Sequence, residues 1–268
     1  MAFDSGLPLV SSMGAGAKLD PTRLQVVDIS KTYNCPFAQQ IRKQLNSKYQ
    51  IKKGIKVVFS PENTDRTLWH DPGANVAFDP RNVDLTGVDI MHIGYPPILP
   101  GTLEDDGAPL RDLLKRAKSM GITTSMDMAG VDPKSEGAKV NWNRFFELTL
   151  PYLDVFSPSV EDIFTARKIG RHATREEVIS TAGELVDYGC AVVCLSDGEH
   201  GLYLKTAGKD RMTSAGRAFA SNADKWSDCA KWYDAIKPEK FVSTLAAGDA
   251  CSAGLLYAIA REMGPEEG

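Results

Sequence analysis

The spacing of hydrophobic residues changes along the chain. From Val88 onward, short β-rich runs alternate with amphipathic helical segments, whereas the earlier part gives one clear helix, Phe37 to Tyr49, and several short strand-like runs. Alternating strands and helices predict βαβ units with right-handed crossovers and a mostly parallel sheet. The pattern therefore predicts an α/β fold of three layers, in which helices cover both faces of the sheet.

The predicted elements follow one another closely after residue 88. The predicted strands are 88–93, 122–128, 154–156, 191–195 and 202–205. The predicted helices are 109–120, 142–150, 159–168, 174–188 and a last helix within 243–263, which follows a loop of small residues. Gly264 is expected to end the last helix in a left-handed turn, before Pro265. Residues 207–240 have no clear period and are expected to form a long excursion before that helix.

One domain is predicted over residues 1–268, with a small β element inside it. Residues 54–78 contain turn residues between short β-rich runs, which indicates a meander. Such an element is expected to cover a site or to stand at one edge of the main sheet.

The amino-acid composition limits which binding partners and which cellular compartment are expected. The net charge is −4 and no basic block is apparent, so neither a nucleic acid nor a membrane surface is expected as a partner. The five cysteines are scattered and odd in number, and the four histidines do not cluster, which favours the cytoplasm and argues against a zinc site. No apolar run reaches the length of a membrane span.

Small residues precede the last predicted helix, and one acid lies in its first turn. Ala246, Ala247 and Gly248 would present free amide groups where the helix dipole is positive, which favours a phosphate or a developing anion. Asp249 could act there as a base for a hydroxyl group. An aspartate at a helix start is more often only a cap, and spacing alone does not decide between the two roles.

The segment S-T-L-A-A-G-D-A-C-S-A-G, residues 243–254, resembles the signature D-T-x-G-A-G-D-x-F-x-A-G of the ribokinase/PfkB carbohydrate kinases. The resemblance implies a ribokinase-like fold and phosphoryl transfer from ATP to a hydroxyl of a sugar or nucleoside. It also implies Asp249 as the general base and the amides of Ala246, Ala247 and Gly248 as the anion hole. The matching residues are Thr244, Ala247, Gly248, Asp249, Ala253 and Gly254, whereas Ser243, Ala246 and Cys251 stand where the family usually has Asp, Gly and Phe.

The segment V-V-C-L-S-D-G-E-H-G, residues 192–201, would by itself be a strand and a glycine hairpin. It is similar to the strand V-V-x-x-x-G-x-x-G on the nucleotide side of the family. The similarity implies that Ser196, Gly198 and Gly201 contact the nucleotide.

The segment F-S-P-S-V-E-D, residues 156–162, would by itself be a proline turn capped by Ser159. It resembles the family element P-N-x-x-E, which helps to organise magnesium around the phosphates. The resemblance implies that Glu161 or Asp162 acts on Mg²⁺ through water. Some members also use a monovalent cation such as K⁺, a role that Ser243 leaves open, and some pair as homodimers.

Two alternatives belong to other classes. The resemblance extends from about Pro8 to the end, without the family's first strand and last elements, so a shortened, non-catalytic kinase fold that binds nucleotide or a partner would also fit. A dinucleotide-dependent dehydrogenase is disfavoured, because no G-x-G-x-x-G opens a helix after a strand. The sequence does not name the substrate.

Overall fold

The computed structural model of the chain describes residues 10–13, 21–62, 73–237 and 246–267. Its contacts divide the chain into two compact units, Met1–Asp71 and Pro72–Gly268. Each unit has its own sheet and its own buried core. The single domain that the sequence predicts over residues 1–268 stays a prediction.

The first unit is a three-stranded sheet with one helix against it. Strand β3 lies in the middle, parallel to β1 and antiparallel to β2. Val57 and Phe59 of β3 and Ala38 of the helix lie in its core. The helix begins after Cys35, whose Sγ accepts a hydrogen bond from the Ala38 amide at 3.5 Å, so the predicted helix is confirmed to within one residue. The elements are β1 (Val10–Ser12), β2 (Gln25–Asp28), α1 (Pro36–Tyr49) and β3 (Lys56–Phe59).

The β element predicted over residues 54–78 is present only in part. Strand β3 falls in this segment, but it pairs within the first unit and takes no part in the larger sheet. Residues 63–72 lie outside the described residues, and Gly73–Ala77 form a 3-10 helix instead of a strand. The segment combines turn residues with β-branched residues, a pattern that a 3-10 turn also satisfies.

The second unit has a six-stranded sheet in the order β4-β5-β6-β7-β8-β9. Strands β4 to β7 are mutually parallel, and β8 is antiparallel to both of its neighbours, β7 and β9. The prediction of a mostly parallel sheet is therefore confirmed. The strands are β4 (Ile90–Ile93), β5 (Thr123–Met126), β6 (Val155–Phe156), β7 (Val192–Ser196), β8 (Leu202–Thr206) and β9 (Ala230–Tyr233).

Helices cover both faces of this sheet, because successive residues of the central strands enter two different cores. Phe156 and Val193 pack with α2 to α5, whereas Val155 and Val192 pack with α6 to α8. Alternation of this kind is the geometry of a strand buried on both faces. The three-layer prediction is therefore confirmed. The helices are α2 (Ala108–Ser119), α3 (Trp142–Thr149), α4 (Val160–Ala166), α5 (Arg175–Asp187), α6 (Lys209–Thr213), α7 (Ala223–Trp226) and α8 (Ala247–Ala260).

The segment expected to be an excursion contains α6, α7 and the edge strand β9. The sequence A-K-W-Y of β9 is too short to show a period, and the strand exists because it pairs with β8.

The end of α8 also differs from the prediction. The helix ends at Ala260, and Glu262, with φ 58°, takes the left-handed conformation that was expected of Gly264. The carbonyl of Met263 accepts a hydrogen bond from the Trp226 indole at 2.9 Å, which binds this turn to α7.

Candidate active site

The carboxyl ends of the parallel strands meet the first turn of α8. Tyr95 follows β4, Asp127 follows β5, Ser157 follows β6, and Ser196 ends β7. Because β4 to β7 are parallel, all four residues lie at one edge of the sheet, where ligands of open α/β sheets bind.

Tyr95 joins this edge to Asp249. Its backbone is left-handed, with φ 65° and ψ 73°, a region that bulky residues rarely occupy. The buried Pro96 and Pro97 follow it directly. The phenol donates a hydrogen bond to Oδ1 of Asp249, and this bond to a carboxylate raises the pKa of Tyr95 well above its usual value. A strained residue is thus held where its side chain contacts the predicted base.

The first turn of α8 places the predicted anion-hole residues beside Asp249. Ala246 is the N-cap in a left-handed conformation, φ 63° and ψ 17°, and its carbonyl accepts the hydrogen bond of the Ala250 amide at 2.9 Å. Among the described residues, no side chain caps this helix start. In the first turn of a helix the amides of Ala247, Gly248 and Asp249 have no partner within the helix, so they are available to an anion.

A buried series of hydrogen-bonded polar side chains connects α8 to the sheet. Ser252 in the second turn of α8 donates a hydrogen bond to Oδ2 of Asp127 at 3.1 Å, and its hydroxyl lies 2.8 Å from that of Ser157. Burial raises the pKa of Asp127 to about 6, while the Met128 amide and Ser252 oppose this rise. The nearby charges of Asp162 and Asp249 add to it. The chain therefore ties α8 to the ends of both β5 and β6.

Two cysteines form a further contact between the sheet and α8. Cys194 of β7 is buried and Cys251 of α8 is half-buried. The interaction between the two thiols lowers the pKa of Cys251 to about 7 and raises that of Cys194. Cys251 is one of the positions at which the sequence departs from the signature.

The predicted nucleotide residues lie on the hairpin between β7 and β8. The Ser196 amide donates to the carbonyl of Pro158 at 3.2 Å, which joins the end of β7 to the end of β6. Gly198, with φ 54°, opens a single 3-10 turn that Gly201, with φ 99°, closes. A Cβ on Gly201 would lie 2.0 Å from the carbonyl oxygen of Tyr233, so this position admits only glycine.

The predicted metal residues lie in the first turn of α4. Asp162 forms a capping box with Ser159, because its Oδ2 accepts hydrogen bonds from the Ser159 amide at 2.9 Å and hydroxyl at 2.6 Å. Glu161 is exposed beside it. Within residues 10–13, 21–62, 73–237 and 246–267, no three His, Cys, Asp or Glu side chains are grouped as metal ligands.

Sequence analysis did not single out Tyr95, Ser157 or Ser252. The one available signal was G-Y-P-P directly after a predicted strand, which places a tyrosine at the carboxyl edge of the sheet. The two serines gave no signal, because a serine in a helix or after a strand is common.

No helix in the described part of the chain is both long and apolar enough to cross a bilayer.

Curated relatives match a short part of the chain. A tRNA threonylcarbamoyladenosine dehydratase of Bacillus subtilis (strain 168) is 54% identical over 57 residues, which are 21% of this chain and 22% of that protein. The dehydratase of Escherichia coli (strain K12) is 40% identical over 62 residues, 21% of this chain and 23% of that protein. The chain thus spans about a fifth of the length of these relatives.

A solved structure matches a larger part. Ribokinase from Thermotoga maritima superposes with a TM-score of 0.50 at 20% identity, over 76% of this chain and 55% of that one. This likeness shows the fold. The model of the pfkB family carbohydrate kinases matches residues 41–267, a region that begins later than the predicted resemblance from Pro8. Since this match includes most of the chain and the signature around Asp249, the chain belongs to the pfkB family of carbohydrate kinases.

Proposed function

We propose that the protein is an ATP-dependent phosphotransferase that phosphorylates a hydroxyl group of a sugar or nucleoside. The observation that supports this most is the position of Asp249. It lies in the exposed first turn of α8, at the edge where four parallel strands end, and Tyr95 holds one of its oxygens. A carboxylate that serves only as a helix cap does not require a hydrogen-bond partner from the end of a distant strand.

In the proposed reaction, Asp249 takes the proton from the substrate hydroxyl as its oxygen attacks the γ-phosphorus of ATP. The bond between that phosphorus and the bridging oxygen breaks, and ADP leaves. The amides of Ala246, Ala247 and Gly248 stabilise the charge on the phosphoryl oxygens. Ser196, Gly198 and Gly201 contact the nucleotide from the β7–β8 hairpin, whose backbone comes close because two of its residues lack side chains.

The carboxylates of Glu161 and Asp162 would fit Mg²⁺ only through bridging water. Glu161 and Asp162 offer the carboxylate oxygens that a hard cation prefers, and they would hold it through water because Asp162 already caps α4. When bound, Mg²⁺ would neutralise phosphate charge. A site for K⁺ beside the anion hole would involve residues 243–245, which lie outside the described residues.

The alternative is a kinase fold that binds nucleotide or a partner without catalysis. The exposed helix start would then bind phosphate, and Asp249 would only complement the helix dipole. Loss of the carboxylate should lower phosphoryl transfer if the first candidate is right, whereas the second candidate predicts no phosphoryl transfer by either protein.

The test replaces Asp249 by asparagine, which keeps the size and the capping ability but removes the proton acceptor. We expect turnover to fall by about two to four powers of ten, because that is the usual contribution of a general base, with ATP binding retained. ATP consumption is measured over a panel of sugars and nucleosides, and ATP affinity by calorimetry. Asp187→Asn, on the exposed end of α5, is the matched control.

Unchanged turnover of Asp249→Asn in an active parent would refute the catalytic role. ATP binding by both proteins, without phosphoryl transfer to any compound of the panel, would favour the non-catalytic alternative.

A further inference from the structure

Two thiols of the second unit lie against one core. Cys194 of β7 is buried, and Cys251 of α8 is half-buried and packs against the same cluster of apolar residues. Cys251 follows Asp249 by two residues in the same helix, so the pair adjoins the candidate active site. The proposed phosphoryl transfer uses neither thiol.

The register of the sheet explains why the two thiols meet. Ser157 lies beside Cys194 in the parallel register of β6 and β7. The hydroxyl of Ser157 lies 2.8 Å from that of Ser252, and Cys251 directly precedes Ser252 in α8. The contact between the serines therefore holds this turn of α8 against the sheet beside Cys194, and each sulfur is close enough to change the pKa of the other.

The two thiols differ in exposure and in acidity. The interaction with Cys194 lowers the pKa of Cys251 to about 7, although burial and the nearby Asp127 carboxylate oppose this change. The interaction with Cys251 and burial raise the pKa of Cys194, so its proton stays on the sulfur. An accessible thiolate with a second thiol against it is the usual arrangement of a cysteine that reacts with peroxide beside one that resolves the product.

The other three cysteines lack this combination. Cys35 is 5% exposed, and its Sγ accepts a hydrogen bond from the Ala38 amide. Burial raises the pKa of Cys190 to about 12 and also raises the pKa of Cys229. An oxidant that reacts with thiolates should therefore select Cys251.

A metal site fits the pair poorly. Metals that prefer thiolates usually take four ligands, and no third His, Cys, Asp or Glu among the described residues is grouped with Cys194 and Cys251 as a ligand set. We propose that these two cysteines are a redox site, which forms a reversible disulfide when the protein meets hydrogen peroxide.

The oxidation takes place in two steps that balance. The Cys251 thiolate attacks one oxygen of hydrogen peroxide, the O–O bond breaks, and the departing hydroxide takes up a proton to leave as water. The sulfur of Cys194 then attacks the sulfur of the Cys251 sulfenic acid, the S–O bond breaks, and the second water leaves with the Cys194 proton. Two thiols are thus oxidised by two electrons in all, and one peroxide is reduced to two waters. A dithiol reductant reverses the reaction by exchange.

The test treats the full chain with hydrogen peroxide, blocks the remaining thiols with iodoacetamide and digests the protein with trypsin without reduction. Trypsin releases Cys251 in residues 241–261, and Cys190 and Cys194 together in residues 176–205. We expect mass spectrometry to find these two peptides joined, and thiol titration to find the loss of two of the five thiols, which dithiothreitol restores. The pair should oxidise about tenfold faster or more than Cys229.

The matched control is Cys190→Ala, because Cys190 lies on the same tryptic peptide as Cys194. This variant should keep the joined peptides. Cys194→Ala should abolish them and let Cys251 proceed to the sulfinic acid, and Cys251→Ala should leave Cys194 reduced. Circular dichroism checks that each variant is folded.

Three outcomes would overturn the proposal. They are joined peptides that persist in Cys194→Ala, joined peptides found only in covalent dimers on a non-reducing gel, and a parent whose Cys251 reaches the sulfinic acid without any disulfide. The parent alone decides the last two, so the test does not depend on the folding of a variant. The assay needs neither ATP nor a substrate, so its result is independent of the proposed kinase activity.

Discussion

Tyr95 and Asp249 are separated by 154 residues in the sequence, and a hydrogen bond from the phenol of one to the carboxylate of the other joins them. The tyrosine can reach because its backbone is left-handed immediately after β4. One oxygen of the carboxylate is thereby oriented, and the other stays available to a substrate hydroxyl. The bond thus connects the last motif of the chain with the first parallel strand of the second unit.

Tyr95→Phe tests this connection. We expect turnover to fall by about three- to tenfold with little change in KM for ATP, because hydrogen bonds to charged groups contribute about 1.5 to 3 kcal/mol and this one is partly open to water. The matched control is Tyr188→Phe, which removes a phenol-to-carboxylate bond of 3.0 Å to Glu184 away from the site. The measurement is steady-state kinetics of both variants on the substrate that the panel of sugars and nucleosides identifies. An equal loss in both variants would mean that Tyr95 has no special role.

Asp127 should make the stability depend on pH. Burial raises the pKa of Asp127 to about 6 in the folded state, well above its ordinary value, so the folded protein binds the proton more tightly than the unfolded chain. The stability from this group is present below about pH 4 and is lost as pH rises through about 6. Relative to Asp127→Asn, the parent should therefore lose about 2 kcal/mol of unfolding free energy between pH 4 and pH 7.5.

Urea denaturation of the parent and of Asp127→Asn at these two pH values measures this difference. Other titrating groups are common to both proteins and cancel. A parent that becomes more stable than the variant as pH rises would contradict the assignment.

Cys251 should be the thiol that alkylates fastest at pH 7.5. The interaction with the Cys194 thiol lowers the pKa of Cys251 to about 7, whereas burial raises the pKa of Cys229, which is also half-buried. Because the thiolate is the reactive form, iodoacetamide should label Cys251 several-fold faster. Peptide mass spectrometry over a time course gives the rates. Cys194→Ala should slow the labelling of Cys251, and Cys190→Ala should not. Faster labelling of Cys229 would argue against the thiol contact.

Gly201→Ala should destabilise the protein, because φ of 99° is unfavourable for alanine and the new methyl group would meet the Tyr233 carbonyl. We expect a loss of about 2 kcal/mol or more in unfolding free energy. The matched variant is Gly183→Ala in α5, where no atom lies within 4 Å of the added carbon. It should gain about 0.5 to 1 kcal/mol from helix propensity. Thermal denaturation of both variants separates the effect of the site from that of the residue type, and a stable Gly201→Ala would show that the hairpin can relax.

The sequence by itself determined the elements whose signals are local. Alternating strands and helices after Val88 predicted the parallel sheet, and the predicted helix 174–188 corresponds to α5, which a capping box of Thr174 and Glu177 begins. The small residues around Asp249 likewise predicted the helix start and its free amides. These features depend on hydrogen bonds and spacing within a few residues, so a single chain segment contains the information.

The tertiary structure decided which distant side chains meet. Strand β9 forms because β8 offers it an edge, and Ser252 contacts Asp127 because α8 crosses the end of β5. Neither contact has a local signal, since both depend on the packing of elements far apart in the sequence.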